Sequence, residues 1–182
     1  MNLNWQALEQ AWLAAVTEAI VATASAHPTE RLYAGAFWLL YSDGVKIAAP
    51  VFALNSENTD PADRWCPSEW RWSWSPLDEI LARVDLLYEP LESLDVDEST
   101  FDVLVEEHIE MLARVSRRVT ELVRSQHVVA KSSAFSPKFF VGIVDQTQSA
   151  RDAFDYLKRS VDEDLIAASG ILEAPIIQAD PE

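Results

Sequence analysis

The residues of this chain with chemistry to offer are its three histidines, its single cysteine, its seven tryptophans and its many carboxylates. His108 stands beside Glu107 in a stretch whose apolar residues step by four and three, so its ring faces the apolar seam of a helix. A histidine so placed is a hydrogen-bonded core residue or, less simply, a ligand or acid–base group. His27 and His127 follow predicted helices, and no HExxH pair or zinc-ligand spacing accompanies any of the three. Cys66 lies between Trp65 and Pro67. A nucleophilic thiol needs a base or a positive site; only Arg64 is near in sequence, and a structural thiol is the simpler role. The four glycines, Gly35, Gly44, Gly142 and Gly170, are too scattered to cradle a phosphate, and no G-x-S-x-G elbow occurs. Carboxylates are abundant, but abundance is no constellation. The expectation is a protein that is not an enzyme and uses no metal and no cofactor.

The tryptophans are the most distinctive feature. RWCPSEWRWSWSPLDEI, Arg64 to Ile80, holds four of the seven. A strand over Glu69 to Trp74 places Trp70, Trp72 and Trp74 on one face and Glu69, Arg71 and Ser73 on the other. Three indoles on one face carry too much apolar area to leave in water. They are the core face of a strand, or a partly open patch that anchors a partner. Trp65 and Arg71, at the end of the run and on its other face, are the two residues placed to touch a partner.

The charge narrows the partner. Thirty acidic residues against fourteen basic ones give a formal net charge of −16. Such a chain repels nucleic acid and anionic lipid. No Lys or Arg occurs between Arg83 and Arg114, an interval with ten acids. The run is a solvated face, or a docking surface for a basic protein. On the second reading its candidate contacts are Glu89, Glu92, Asp95, Asp97, Glu98, Asp102, Glu106 and Glu110.

These residues need elements to position them. Asn4 to Ala26 has Trp5, Leu8, Trp12, Ala15, Val16, Ala19 and Ile20 at helical spacing, and His27-Pro28 ends it. Leu32 to Leu54 reads as a hairpin turning at Asp43-Gly44. Its first strand is apolar on both faces, with Ala34, Ala36 and Trp38 opposed to Tyr33, Phe37 and Leu39; it needs cover on both sides or a central place. Pro50 calls for a bulge or an edge in the return strand. Ser75-Pro76-Leu77-Asp78 marks a helix start, with Ile80, Leu81, Val84, Leu87 and Tyr88 inward and Pro90 as the stop. Ser99 to Gln126 is the longest helix. Ser99 and Asp102 are its capping pair, Phe101, Val105, His108, Leu112, Val115, Val119 and Leu122 its seam, and Glu110–Arg114 and Arg117–Glu121 its surface pairs. Lys138 to Val144 is a strand, Thr147 to Arg159 a helix, and Asp162 to Ser169 a short helix closed by Gly170. The tail over 172–182 is an added strand or a disordered end.

Hydrophobic residues make up 49% of the 182, enough to bury a core, so one domain is expected over 1–182. The element order favours an α+β fold, a mainly antiparallel sheet of four to five strands with helices packed on it. No apolar run reaches the ~20 residues of a membrane span, and the first residues lack a signal's basic region. A single cysteine fits a reducing cytoplasm.

LYAGAFWLLYSDGVKIAAPVFALNSEN followed by RWCPSEWRW resembles the bacterial family known as domain of unknown function 4303. That family has a Trp-containing first helix, a "fYAfaL" strand and hairpin, an "NTEE"-like turn and an "RWsPaEW" block. Arg64 to Trp70 matches the block with Cys66 in the usual Ser place, and Asn55-Ser56-Glu57 matches the turn loosely. FFVGIVDQTQSARDAFDYLKRSV is similar to the family's closing strand and helix. The resemblance implies no catalytic residues. It implies a small acidic protein encoded near bacterial toxins, of the kind that acts as an immunity protein.

The leading expectation is therefore an acidic cytoplasmic binding protein, monomeric or homodimeric, that neutralises a basic partner such as a cognate toxin by electrostatic and steric occlusion. One alternative is a small-ligand-binding protein or enzyme with a pocket near Trp65, Trp70 and His108. Another is a structural or assembly subunit that pairs through its long helix.

Overall fold

The computed structural model describes residues 3–39, 41–42, 46–74, 81–91, 94–125, 134–144 and 149–173. The helices are α1 (Trp5–Ala26), α2 (Ala82–Tyr88), α3 (Glu98–Arg124), α4 (Ala150–Ser160) and α5 (Glu163–Ser169). The strands are β1 (Leu32–Trp38), β2 (Tyr41–Ser42), β3 (Lys46–Ile47), β4 (Val51–Ser56), β5 (Trp72–Trp74) and β6 (Phe135–Ile143). Four of them form one sheet in the order β5-β4-β1-β6. β4 pairs antiparallel with both β1 and β5, and β6 runs parallel to β1. The chain is thus a single compact α+β domain with a mostly antiparallel sheet, as its element order implies. The parallel strand is the departure, and a long helical connection is what lets a strand return parallel.

β2 and β3 form a small ribbon beyond the β1–β4 pair. The turn at Asp43-Gly44, the helix start at Ser75 to Asp78, Glu92, and His127 lie outside the described residues. In the expected tail, Leu172 and Glu173 belong to the 3-10 turn Ile171–Glu173, and the rest lies outside. Pro50 falls in the gap between β3 and β4, where no ladder donor is required, so β4 is neither bulged there nor at an edge.

β1 is buried on both faces and holds a central place. One face carries Phe37 with Phe52, Leu54, Val141 and Ile143, and packs on α1 and α3. The other carries Ala34, Ala36, Ala53 and Phe140, and packs on Leu157 of α4 and Leu165 and Ile166 of α5. This second face is built from small residues so that the helices can approach. A Cβ on Gly142 would meet Val161 Cγ2 at 2.8 Å. Tyr33 lies on this face with Ala34, and not with Phe37 and Leu39 as simple alternation predicts. The cause is a register shift between Leu32 and Ala34 in both pairings of β1; an extra residue turns the side chain over.

The helix boundaries follow local chemistry. Asn4 caps α1 by accepting from the Ala7 amide at 3.0 Å, and Gly170 closes α5 in the left-handed region at φ 82°. α3 begins two residues earlier than the Ser99/Asp102 pair suggests. Asp97 is its cap and accepts from the Thr100 amide at 2.8 Å.

The edge of β6 is closed by side chains. The Val141 amide donates to Thr120 Oγ1 at 2.8 Å and the Ile143 amide to Ser160 Oγ at 2.9 Å. Arg124 Nη1 donates to the Pro137 carbonyl at 2.6 Å. Hydroxyls of α3 and α4 thus stand where another strand would be, a way of blunting an edge. Thr120→Val keeps the shape and removes the acceptor. It is expected to cost about 1–3 kcal/mol, the penalty for a buried unpaired amide, and Ser160→Ala a similar amount. Urea unfolding measures both, and an unchanged midpoint would show that the edge amides find other partners.

Candidate functional site

The tryptophan run does not form one strand face. Pro67–Glu69 is a 3-10 turn and the chain bends at Arg71, so only Trp72–Trp74 pairs with β4. Trp72 and Trp74 are half-buried against the α1/α3 side, whereas Trp70 is buried in the core on the α4/α5 side. The bend divides the indoles between the two faces.

Trp65 joins Trp70. It is 8% exposed, stacked on Phe140 at 5.8 Å and edge-on to Tyr33 at 5.2 Å. A residue so covered is not the partner contact expected of it. The Arg64 carbonyl accepts from the Tyr33 hydroxyl and from Trp70 Nε1, the latter at 3.2 Å. Tyr33 Oη in turn accepts from Asn55 Nδ2 at 3.3 Å. Asn55 Oδ1 accepts from the Ser56 amide at 3.0 Å and from the Thr59 hydroxyl. Burial pushes the Tyr33 phenol up, which keeps it a donor. The two sequence blocks that carry the family resemblance therefore meet in one buried knot. The bulge at Tyr33 is what brings that side chain to it.

Arg71 is exposed, but not free. Its Nη1 lies 2.6 Å from Glu30 Oε1 and its guanidinium 5.0 Å from the Trp72 ring. Glu30 also accepts from Ser56 Oγ at 2.7 Å and Asn58 Nδ2 at 2.9 Å. Bonds from Ser56, Asn58 and Arg71 hold this carboxyl below the usual range.

His108 is fully buried on the opposite side of the sheet from Trp65 and Trp70, so the structure does not bring these three to one pocket. Its Nε2 lies 2.6 Å from Tyr88 Oη, and Tyr88 Oη accepts from Trp12 Nε1 at 3.0 Å. The indole can only donate, so the phenol accepts from Trp12, and a neutral ring with an unprotonated Nε2 can take the phenol proton. Burial pushes the His108 pKa down to about 3 and the Tyr88 phenol up. This is a core polar chain holding α1, α2 and α3 together.

The acids of the base-free run fall into two groups. Glu89, Asp95, Glu98 and Asp102 are exposed. Asp97 is exposed but spent on the cap, and bonds from the backbone and side chain of Thr100 lower its pKa. Glu106 and Glu110 are exposed and hold Arg159 of α4 at 2.8 and 2.7 Å. Partial burial works against that guanidinium's charge, and the two carboxylates more than offset it, so its pKa is raised. Arg114 pairs with Glu9 of α1 at 2.8 Å, and Arg117 donates to the Arg159 carbonyl. These bonds replace the expected Glu110–Arg114 and Arg117–Glu121 pairs, because a partner on another helix locks two elements where an i,i+4 pair locks none.

Beside this set, the first turn of α1 and the first half of α3 enclose a groove of about 510 Å³. Its apolar lining, or floor, is Trp5 and Val103; its charged lining, or rim, is Asp102, Glu106, Glu107 and Glu110, with Arg114. Trp5 Nε1 donates to Glu107 Oε2 at 2.7 Å. Sequence periodicity assigns Trp5 to the core and says nothing of Val103. The signal for the groove is that Trp5 opens its helix, where a side chain has lost cover on one side.

Among the described residues no group of three or more His, Cys, Asp and Glu is placed to hold a metal ion. None of their helices is long and apolar enough to cross a membrane. Comparison with known proteins yields no match to a family model, a curated protein or a solved structure. The resemblance to domain of unknown function 4303 rests on the sequence blocks alone.

His108 makes stability depend on pH with a definite sign. Its folded pKa, about 3, lies below the ordinary 6.5. Above pH ~6.5 both states are neutral and the stability is fully present. As pH falls, the unfolded chain takes up a proton that the folded chain refuses, and stability is lost at up to about 1.4 kcal/mol per pH unit. Urea unfolding of wild type between pH 7 and pH 5 (the range before most carboxylates titrate) is expected to show this slope. His108→Gln, less stable throughout, is expected to flatten it. Equal slopes would mean that His108 is not held neutral by its site.

Proposed function

We propose that this protein binds a basic protein and neutralises it by covering its working surface. It would act as a cytoplasmic immunity protein against a cognate toxin. The observation that supports this reading most is that Glu89, Asp95, Glu98 and Asp102 are all exposed and that Asp102 joins Glu106, Glu107 and Glu110 along the α1/α3 groove. It lies within an interval that has no Lys or Arg between Arg83 and Arg114. A predominantly acidic face raises encounter rates with the opposite sign and rejects like-charged competitors. The face is rigid where it matters, because Asp97 caps α3 and Arg159 fixes Glu106 and Glu110. A partner meets a preformed pattern and loses little to ordering it. The resemblance to domain of unknown function 4303 adds the toxin context.

Mechanistically the protein has only to occupy the basic surface with which a toxin would hold its own substrate. Calorimetry with the product of the neighbouring gene tests the reading. Raising salt from about 0.1 M to about 1 M cuts the screening length from about 10 Å to about 3 Å, and binding is expected to weaken at least tenfold. Glu98→Lys together with Asp102→Lys is expected to weaken it similarly at low salt while leaving the thermal midpoint nearly unchanged. Salt-independent affinity would sink electrostatic docking.

A further inference from the structure

We infer that the α1/α3 groove receives a short basic segment with an apolar side chain between its cations, the apolar group seated on Trp5 and Val103. This deepens the reading above and rests on it.

The floor comes first. Val103 is 56% exposed although it sits in a 27-residue helix. A β-branched residue there lowers helix propensity and has little internal packing to offset that. Trp5 is half-buried, so part of a large ring remains uncovered beside it. The ring is also set in place in advance. Its N–H is fixed on Glu107 at 2.7 Å, and its ring centre lies 6.2 Å from that of His108, the two planes tilted by 31°. A prearranged apolar floor is what a seated side chain needs.

The rim decides the charge. Glu107 is satisfied by Trp5, and Glu106 and Glu110 by Arg159, but each carboxylate keeps further acceptor capacity. Among the described residues the Asp102 side chain makes no hydrogen bond or ion pair. The single base of the groove, Arg114, is engaged by Glu9.

Other occupants fit less well. An anion meets four carboxylates. A purely apolar segment would desolvate them without counter-charge. A second copy of this chain brings a net charge of −16 against −16. A bare cation has no use for the indole and the valine. The volume, about 510 Å³, suits a few side chains and not a whole domain.

Two short peptides of equal charge test this at low salt, one alternating arginine with leucine and one alternating arginine with serine. The arginine–leucine peptide is expected to bind about tenfold tighter, since seating a single aliphatic side chain is worth that much. It is also expected to shift the Trp5 indole N–H resonance, assigned by its loss in Trp5→Phe. Val103→Ser, a surface change, should remove most of the advantage. Asp102→Asn should weaken both peptides. If the two bind equally, or if Val103→Ser leaves the tenfold ratio intact, the groove inference is overturned while the acidic-face reading stands. If neither binds, the groove inference is overturned, and the acidic-face reading stands or falls on the calorimetry with the neighbouring gene's product.

Discussion

β1 has no face in water, and the rest of the molecule is arranged around that fact. A strand buried on both sides needs two covering layers and two paired neighbours. α1 and α3 supply one layer, α4 and α5 the other, and β4 and β6 the neighbours. Each layer then has its own polar fastening. On the first side it is the Trp12–Tyr88–His108 chain; on the second it is the Asn55–Tyr33–Arg64–Trp70 knot. In both, an aromatic hydroxyl is the shared centre, because a hydroxyl can accept one bond and pass on another.

Much of this was legible in the chain. Helical spacing placed Leu8, Trp12 and Val16 inward, and Val115 and Val119 likewise. The two-sided apolarity of Leu32 to Leu39 implied a central strand. His108 read as a core residue because its neighbours at four-residue steps are apolar. What was not legible has one physical cause: periodicity reports inside or outside, not which neighbour is met. The parallel pairing of β6 with β1 joins residues about a hundred positions apart, as does Arg114 with Glu9. The bulge that turns Tyr33 over and the bend at Arg71 that separates Trp70 from Trp72 each shift alternation by one step. A one-step shift changes a side chain's face and leaves no mark on composition.

The candidate contacts divided along the same line. Their acidity was plain, but not their engagement. Trp65 looked available because tryptophan often anchors interfaces, yet a ring between Tyr33 and Phe140 has little surface to offer. Glu106 and Glu110 looked like free charge and are the anchor of α4 through Arg159. A chain of net charge −16 has few bases to spend. Placing Arg159 and Arg114 between helices relieves repulsion where acids crowd closest and leaves Asp102 and Glu98 outward.

Rigidity and recognition meet at Trp5. Its ring rests on His108, which is bonded to Tyr88, which is bonded to Trp12 and so to the central strand through the Trp12–Phe37 contact at 5.1 Å. The groove floor is thereby tied to the core by four consecutive aromatic contacts. A neutral His108 is a condition of that linkage, because a charged ring would compete for the same acceptors and demand solvation. The surface that carries the negative potential and the core that must stay uncharged are thus one residue apart, at Glu107 and His108. Their opposite needs are met by the helical turn, which sends one side chain to water and the next to the seam.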